Sequence, residues 1–247
     1  MTYHLRYPTI KNVLFIIPSL SEKYPNSVED ANDVDVIHPS LGILYISSYA
    51  KKFGYNSIVL DDLVKRNCDG YEEMEQTIKD EKISIVFITC MTANFTIAVQ
   101  YAMRAKAAGC IVVLGGPHAS CIYSSDTSLP YIDILSIGEG ERVTVELLDA
   151  LYSRSDVRNV SGIAFHEEGR RIVTKKSKRI SDIDALPLPD YLGIDMSPYV
   201  KTQSLGMISS RGCPNNCLFC SSRCIWGRKV TYRSPDNIIK EMDFLCD

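Results

Sequence analysis

The chain has 247 residues, of which 45% are hydrophobic and 23% are charged, so it can bury the core of one domain and part of a second. Its formal net charge of -3 and isoelectric point near 5.9 favour neither a nucleic acid nor an anionic membrane as a partner. The most apolar N-terminal stretch, Val13–Ile17, is too short for a signal peptide or a membrane span, which predicts a cytoplasmic protein.

Five short apolar runs predict the strands of a parallel sheet, because near-continuous runs of Ile, Val and Leu are typical of strands buried on both faces. The predicted strands are Val13–Ile17, Ser57–Asp61, Ile83–Thr89, Ile111–Gly116 and Ile132–Gly138. Helical spacing between them predicts helices at Leu41–Phe53, Tyr71–Lys79, Thr96–Ala108 and Glu141–Tyr152. This alternation indicates an α/β fold with a Rossmann-like (flavodoxin-like), doubly wound, five-stranded parallel sheet.

The segments that follow these strands are rich in glycine and small polar residues, at Pro18–Ser21, Thr89–Asn94, Gly115–Ser120 and Gly138–Glu141. Ligands of such sheets bind beyond the carboxyl ends of the strands, and glycine lets the backbone approach a ligand closely. Ordinary turns are the alternative interpretation. Two successive glycine-rich segments favour a wide, flat ligand. Neither a G-x-G-x-x-G fingerprint after the first strand nor a P-loop is present in the sequence.

After the last predicted helix, residues Ser161–Lys176 predict a β-hairpin with its turn at Glu167–Gly169. Six of the ten residues from Arg170 to Arg179 are basic, which favours a sheet edge protected by charge over an RNA contact. The acidic, proline-containing segment that follows predicts an ordered linker, and we expect a domain boundary near Pro187.

Four of the nine cysteines lie within sixteen residues, Ser209–Cys224. Three of them have the spacing C-x3-C-x2-C and follow a strand-like segment, Leu205–Ser210. Three thiolates suit three irons of a cubane cluster and leave the fourth iron open, whereas a zinc site would need Cys224 or a histidine as a fourth ligand. Disulfides are not expected in the cytosol. The upstream cysteines are interpreted as small buried residues, namely Cys68, Cys90, Cys110 and Cys121.

This cysteine loop, with the aromatic Phe219 before its third cysteine, resembles the signature of the radical S-adenosylmethionine (radical SAM) superfamily. The resemblance implies a 4Fe-4S cluster whose open iron chelates S-adenosylmethionine, which an electron from the cluster then cleaves to a 5'-deoxyadenosyl radical. Cys224 lies outside the signature and is interpreted as a bystander. The implied cluster ligands are Cys213, Cys217 and Cys220.

The segments upstream of the cysteine loop are similar, in order and spacing, to those of cobalamin-binding radical SAM enzymes. They are His38–Asp61, Gly115–Ser120, Ser136–Glu141, the hairpin and Leu186–Tyr191. The resemblance covers essentially the whole chain and implies that the corrin ring of cobalamin and its nucleotide tail bind at Thr89–Ala93, Gly115–His118 and Gly138–Glu141. The implied cofactor-binding residues are Thr89, Cys90, Met91, Thr92, Gly115, Gly116, Pro117, His118, Gly138, Glu139, Gly140 and, in the cysteine loop, Phe219.

The histidines do not match a known cobalt-binding motif. Methionine-synthase-like cobalamin domains use the histidine of D-x-H-x-x-G, and Asp35–Gly42 lacks that spacing. We therefore expect cobalamin to be held with no histidine on cobalt, with His38 and His118 as the alternatives. A contact with the corrin periphery, or with its own loop, is the other interpretation of His118.

The resemblance divides the chain into a cobalamin-binding domain (1–155), a hairpin and linker (156–200) and the truncated start of a radical SAM (β/α) partial barrel (201–247). A complete barrel needs roughly another 150 to 200 residues, so we expect this piece alone to be inactive.

The implied activity is transfer of a methyl group to an unactivated carbon of a small-molecule substrate, with flavodoxin or ferredoxin as the reducing partner. Cyclases and ring-rearranging enzymes occur in the same subfamily. A methylthiotransferase is an alternative, although no cysteine for a second cluster precedes Cys68. A non-catalytic cobalamin-binding module with a structural zinc site is another.

Overall fold

A central β-sheet with helices on both faces forms most of the molecule, and the computed structural model describes residues 3–20, 38–63, 70–125, 129–201 and 205–246. The strands are β1 (Asn12–Ile17), β2 (Asn56–Asp61), β3 (Ile85–Thr89), β4 (Ile111–Gly115), β5 (Ile134–Ser136), β6 (Ile163–Glu167), β7 (Arg170–Val173), β8 (Ser210–Arg211) and β9 (Thr231–Tyr232). The helices are α1 (Leu41–Lys52), α2 (Gly70–Asp80), α3 (Phe95–Ala107), α4 (Gly116–Ile122), α5 (Gly140–Tyr152), α6 (Ser197–Val200), α7 (Ser222–Trp226) and α8 (Pro235–Cys246). None of these helices is long and apolar enough to cross a membrane.

The large sheet has seven strands in the order β2-β1-β3-β4-β5-β6-β7. Its first five strands are all parallel, and Phe15 of β1 lies between Val59 of β2 and Phe87 of β3. This is the strand order of flavodoxin-like proteins, so the predicted fold class is confirmed. The order also brings the ends of β1, β3, β4 and β5 to one edge of the sheet.

Helices cover both faces of the parallel strands, which explains their continuous apolar runs. On one face, α1 and α5 pack over a cluster that includes Val13 and Phe15. On the other face, α2 and α3 pack over a cluster that includes Leu14 and Ile16. All four side chains are at most 1% exposed. Burying each of them contributes about 1.5 to 3 kcal/mol, so β1 is a principal source of stability.

The predicted hairpin is present and extends the sheet. β6 pairs antiparallel with β5, and β7 pairs antiparallel with β6. Glu168 and Gly169 connect β6 to β7 with positive φ values of 48° and 74°. Two consecutive left-handed residues form the kind of tight turn that matches the twist of a two-stranded ribbon.

Two short elements differ from the prediction. The glycine-rich segment after β4 is expected to be a loop, but its residues form α4. Gly116 has a φ of +90°, typical of a turn, while Pro117 is compatible with a first helical turn because its missing N–H needs no partner there. The strand-like Leu205–Ser210 contributes only its last residue to a strand, and β8 pairs antiparallel with β9 over two residues.

The linker after the hairpin packs along the first domain. The Asp190 carboxylate accepts a hydrogen bond from the Ser47 hydroxyl at 2.6 Å and lies 2.6 Å from Lys51 Nζ. The backbone N–H of Asp190 donates to the carbonyl of Leu44 at 3.1 Å. Further along, the Tyr199 hydroxyl donates to the Asp61 carboxylate at 2.5 Å. These contacts fix the path of the chain from the sheet to the cysteine loop.

Candidate functional site

The carboxyl edge of the sheet, defined here as Thr89–Asn94, Gly115–His118 and Gly138–Gly140, brings together three of the predicted ligand-binding segments, two of which are rich in glycine. Thr89 pairs with Gly115 in the β3–β4 register, and the Cys90 N–H donates to the Gly115 carbonyl at 3.0 Å. The His118 N–H then donates to the Cys90 carbonyl at 3.0 Å. The start of α4 is therefore bound directly to the end of β3.

Gly116 makes this close approach possible. A Cβ at this position would lie 2.8 Å from the Cys90 carbonyl oxygen and 2.9 Å from its nitrogen, and the φ of +90° disfavours other residues. Pro117 follows it in the first turn of α4. Gly116, which the sequence predicts as part of a ligand site, thus also has a structural role, because it allows α4 to pack against Cys90.

The segment after β3 presents exposed side chains on a fixed turn. Met91 and Thr92 are exposed, whereas Asn94 is buried. The Asn94 carboxamide accepts a hydrogen bond from the Met91 N–H at 2.8 Å and donates to the Pro18 carbonyl at 3.2 Å. Asn94, which the sequence analysis did not single out, therefore joins the ends of β1 and β3.

Cys90 and His118 both remain uncharged at neutral pH. Burial raises the pKa of the Cys90 thiol to about 12, so this thiol is a packed, protonated group. Burial lowers the pKa of His118. The His118 ring contacts Phe95 at 4.5 Å between centroids, and its Nδ1 lies 3.0 Å from the Thr92 hydroxyl. His118 thus completes the contact between the β3 and β4 segments.

The other histidine candidate lies elsewhere. His38 is exposed and near Gly206, where an added Cβ would lie 3.7 Å from the His38 ring. The earlier part of its motif, residues 35–37, and Cys68 lie outside the described residues. The expectation of cobalamin without a histidine on cobalt stays a prediction.

The third segment, Gly138–Gly140, has contacts in two directions. The Gly138 N–H donates to the Ser120 hydroxyl at 3.0 Å, and an added Cβ would lie 3.5 Å from the Ile225 carbonyl of α7. An added Cβ on Gly140 would lie 2.3 Å from Ile46 Cδ1, so Gly140 allows α1 and α5 to pack closely. Gly138 is consequently the member of this segment that faces the C-terminal part of the chain.

The Glu139 side chain is directed into the domain junction. One carboxylate oxygen accepts the Ile180 N–H at 2.7 Å, and the other lies 3.5 Å from Arg211 Nη1. Burial is the main cause of the raised pKa of Glu139. This carboxylate therefore anchors the linker and the segment before the cysteine loop.

We call Arg211, Glu139, Glu141 and Tyr45 the junction cluster. Arg211 Nη2 lies 2.5 Å from Glu141 Oε1, and the three charged side chains are each at most 5% exposed. The Arg211 guanidinium also lies 5.1 Å from the Tyr45 ring centroid, a cation–π contact. The Tyr45 hydroxyl is buried and has no hydrogen-bond partner among the described residues.

A second buried ion pair lies beside the junction cluster. Arg233 Nη1 contacts the Glu241 carboxylate, and the Tyr191 hydroxyl donates to the same carboxylate at 2.6 Å. Arg233 also donates to the Ile208 carbonyl at 3.0 Å. The Ser234 hydroxyl accepts the Asn237 N–H at 3.2 Å and so caps α8. These contacts connect α8 to the linker through Tyr191 and to the segment before the cysteine loop through Ile208.

The cysteine loop projects from this junction with its thiols accessible. Cys213 is half-buried and Cys217 and Cys220 are exposed, while the intervening Leu218 and Phe219 are 100% and 92% exposed. Hydrogen bonds from Ser222 lower the pKa of the Cys220 thiol, which favours the thiolate form that binds metals.

The donor chemistry of this loop fits an iron-sulfur cluster. Three thiols at the predicted spacing lie on a chain segment free of regular structure and open to solvent. Within the described ranges no group of three His, Cys, Asp or Glu side chains is already arranged around a metal position. Metal binding would therefore bring the three thiols together, as is common when ligands lie on one short loop. The fourth cysteine, Cys224, lies in α7, which packs against α4.

Residues 31–148 match the family model of the B12 binding domain. Over 246 residues the chain is 28% identical to an uncharacterized methyltransferase of Pyrococcus horikoshii, covering 96% of this chain and 50% of that protein. It is 26% identical over 233 residues to the anaerobic magnesium-protoporphyrin IX monomethyl ester cyclase of Rubrivivax gelatinosus, covering 90% and 41%. The chain therefore spans half or less of the length of these relatives.

Solved structures show the same fold. The radical SAM methyltransferase TsrM from Kitasatospora setae, with cobalamin and a 4Fe-4S cluster bound, matches with a TM-score of 0.72 at 15% identity, covering 95% of this chain and 45% of that chain. The cobalamin-dependent radical SAM enzyme OxsB matches with a TM-score of 0.74 at 18% identity, covering 96% and 32%. The resemblance to cobalamin-dependent radical SAM proteins that the motifs indicate is confirmed.

Proposed function

We propose that this chain, which carries a B12 binding domain followed by a radical SAM cysteine loop, is the cofactor-binding part of an enzyme that methylates an unactivated carbon of a small molecule. One observation supports this most directly: α7, which follows the cysteine loop, packs against α4, which begins in the glycine-rich segment of the B12 binding domain. The two cofactor regions are therefore neighbours in space although about 100 residues separate them along the chain.

In this proposal residues 1–155 hold cobalamin and residues 201–247 begin the SAM-binding domain. Residues 156–200 form the hairpin and the linker between these two domains. The corrin lies on the carboxyl edge, against the exposed Met91 and Thr92 and the backbone at Gly115, Gly116 and Gly138. The small residues there allow a flat ring to approach the strand ends closely. His118 lies 3.0 Å from the Thr92 hydroxyl, and burial lowers the pKa of His118, which disfavours a positive charge at this part of the edge.

The cluster ligands in this proposal are Cys213, Cys217 and Cys220, and Phe219 lies beside the cluster. When bound, the cluster supplies the electron that cleaves S-adenosylmethionine, and cobalamin supplies the methyl group. Arg211, two residues before the first ligand, holds the loop against Glu139 and Glu141. The exposed side of the loop is accessible to a reducing partner such as flavodoxin or ferredoxin, and reduced thiols suit a cytoplasmic protein.

Cobalamin retention tests the first half of the proposal. The full chain is incubated with hydroxocobalamin and passed through gel filtration, and the visible spectrum of the cofactor should co-elute with the protein. Gly116→Ala should reduce retention strongly, because its Cβ would separate α4 from Cys90. The matched control is Gly42→Ala, whose Cβ meets no described atom within 4 Å. Failure of the unaltered chain to retain cobalamin would contradict the proposal.

Iron content tests the second half. Anaerobic reconstitution with iron and sulfide should give about four irons per chain, as expected for one cubane cluster. Single Cys→Ser changes at positions 213, 217 and 220 should each lower the iron content, whereas Cys110→Ser, at a buried thiol away from the loop, should not. Two clusters per chain would favour a methylthiotransferase, and stoichiometric zinc in place of iron would favour a structural module.

A further inference from the structure

Two cysteines outside the proposed cofactor ligands lie on helices that pack together across the domain junction. Cys121 lies in α4, and Cys224 lies in α7. Both are free thiols. Gly138 lies between their neighbours in sequence, because its N–H donates to the Ser120 hydroxyl at 3.0 Å and an added Cβ would lie 3.5 Å from the Ile225 carbonyl. Cys224 contributes to the raised pKa of Cys121, in agreement with a close approach of the two thiols. Packing of α4 on α7, and the approach of Ile225 to Gly138, hold the two helices in this arrangement.

The position of this pair relates it to both cofactor regions. Cys121 is five residues after Gly116, at the end of the short helix that begins in the carboxyl edge. Cys224 is four residues after the proposed cluster ligand Cys220. Cys121 is exposed and Cys224 is half-buried, so small oxidants in solution can reach the pair.

We propose that Cys121 and Cys224 form a redox-sensitive dithiol, which hydrogen peroxide oxidises to a disulfide that joins the B12 binding domain covalently to the cysteine loop. Peroxide first oxidises one thiol to a sulfenic acid and releases one water. The second thiol then attacks the sulfenic sulfur, the S–S bond forms, and a second water leaves. The two thiols together lose two electrons and two protons to the peroxide.

Proximity, rather than an acidic thiol, favours this reaction. Burial and the neighbouring Cys224 raise the pKa of Cys121 to about 11, so Cys121 stays protonated at neutral pH. Because α4 packs on α7, however, each thiol has the other nearby, and a sulfenic acid on either residue is captured before it reacts further. The other two described upstream cysteines, Cys90 and Cys110, are buried, so an oxidant in solution does not reach them as it reaches Cys121.

The bond itself does not depend on the proposed function, but its consequence does. If cobalamin and the cluster bind where we propose, the disulfide fixes the end of α4 to the middle of α7 and so limits movement between the two cofactors. Peroxide arises where reduced metal centres meet oxygen, so the dithiol would respond to the conditions that damage an exposed cluster.

Peptide mapping of the full chain tests this inference. The chain is reconstituted with iron and sulfide, treated with a small excess of hydrogen peroxide, alkylated and digested with trypsin. Trypsin releases residues 107–142, which contain Cys121, and residues 224–228, which contain Cys224. We expect these two peptides to become cross-linked, with a mass lower by two hydrogens than their sum, and to separate again on reduction.

Variants assign the bond and keep the test independent of the cofactors. Cys110→Ser should leave the cross-link intact, although Cys110 lies in the same peptide, whereas Cys121→Ser and Cys224→Ser should abolish it. A chain with serine at positions 213, 217 and 220 should still form the bond, which separates this inference from the proposed cluster. Recovery of Cys121 and Cys224 mainly as sulfinic acids, or paired with other cysteines, would overturn the proposal.

Discussion

Replacing Arg211 with methionine should destabilise the chain by about 3 to 5 kcal/mol, the usual cost of removing one partner from a buried ion pair. Methionine is similar to arginine in length but carries no charge. Glu141 is therefore left buried without the cation that lies 2.5 Å from it. Glu139 should contribute less to the loss, because it keeps its hydrogen bond from the Ile180 N–H.

The free energy of unfolding is measured in urea with two probes. Far-ultraviolet circular dichroism follows the sheet and helices, and fluorescence of the single tryptophan, Trp226 of α7, follows the junction. In Arg211→Met we expect the fluorescence transition to shift to lower urea. The control is Arg104→Gln, because the Arg104–Glu75 pair is largely exposed and should contribute less than about 1 kcal/mol.

A double variant tests the cause of the loss. If the unpaired carboxylate is responsible, adding Glu141→Gln to Arg211→Met should recover part of the stability, because the buried charge is removed together with its partner. A loss below about 1 kcal/mol in Arg211→Met, equal to that of the exposed control, would refute the reasoning that this pair holds the two parts of the chain together.

Two further predictions concern single polar groups at the junction. Burial raises the pKa of the Glu139 carboxyl group above its usual 4.5. As the pH rises, this group therefore loses its proton in the unfolded chain before it does so in the folded chain. The free energy of unfolding should consequently fall between pH 4.5 and the higher folded pKa. Glu139→Gln should remove this decrease in the free energy of unfolding. If that free energy depends on pH in the same way in the variant and in the parent protein, the prediction is wrong. Tyr199→Phe should cost about 1 to 3 kcal/mol in urea unfolding, because Asp61 loses its 2.5 Å hydrogen bond. An unchanged midpoint would show that this bond adds nothing to stability.

The parallel sheet could be predicted because its signal is local. Strands β1, β3 and β4 are buried on both faces, so the apolar run alone indicates them, and the bounds of β1 differ from the prediction by one residue. The helix α4 was missed because Gly116 and Pro117 are also typical turn residues. The strands β8 and β9 have two residues each, too few to produce a periodic pattern.

The candidate site shows the same distinction between local and distant information. The cysteine spacing is local, so the sequence alone predicts this loop as a metal site, and the cluster ligands stay a prediction. The Arg211–Glu141 pair joins residues that are 70 positions apart, and no sequence pattern records that they meet. The same holds for Cys224, which is interpreted from sequence as a bystander and whose position near Cys121 depends on how α7 packs on α4.

The order of the elements along the chain has a consequence for biosynthesis. All seven strands of the large sheet end by Val173, so they leave the ribosome well before Arg211 and the cysteine loop. Domains commonly fold as units from the N-terminus during translation. The carboxyl edge can therefore form early. At that stage Glu139 and Glu141 still lack Arg211, the cation that pairs with them in the complete fold. Newly made protein should pass through a stage with a folded sheet and an undocked cysteine loop.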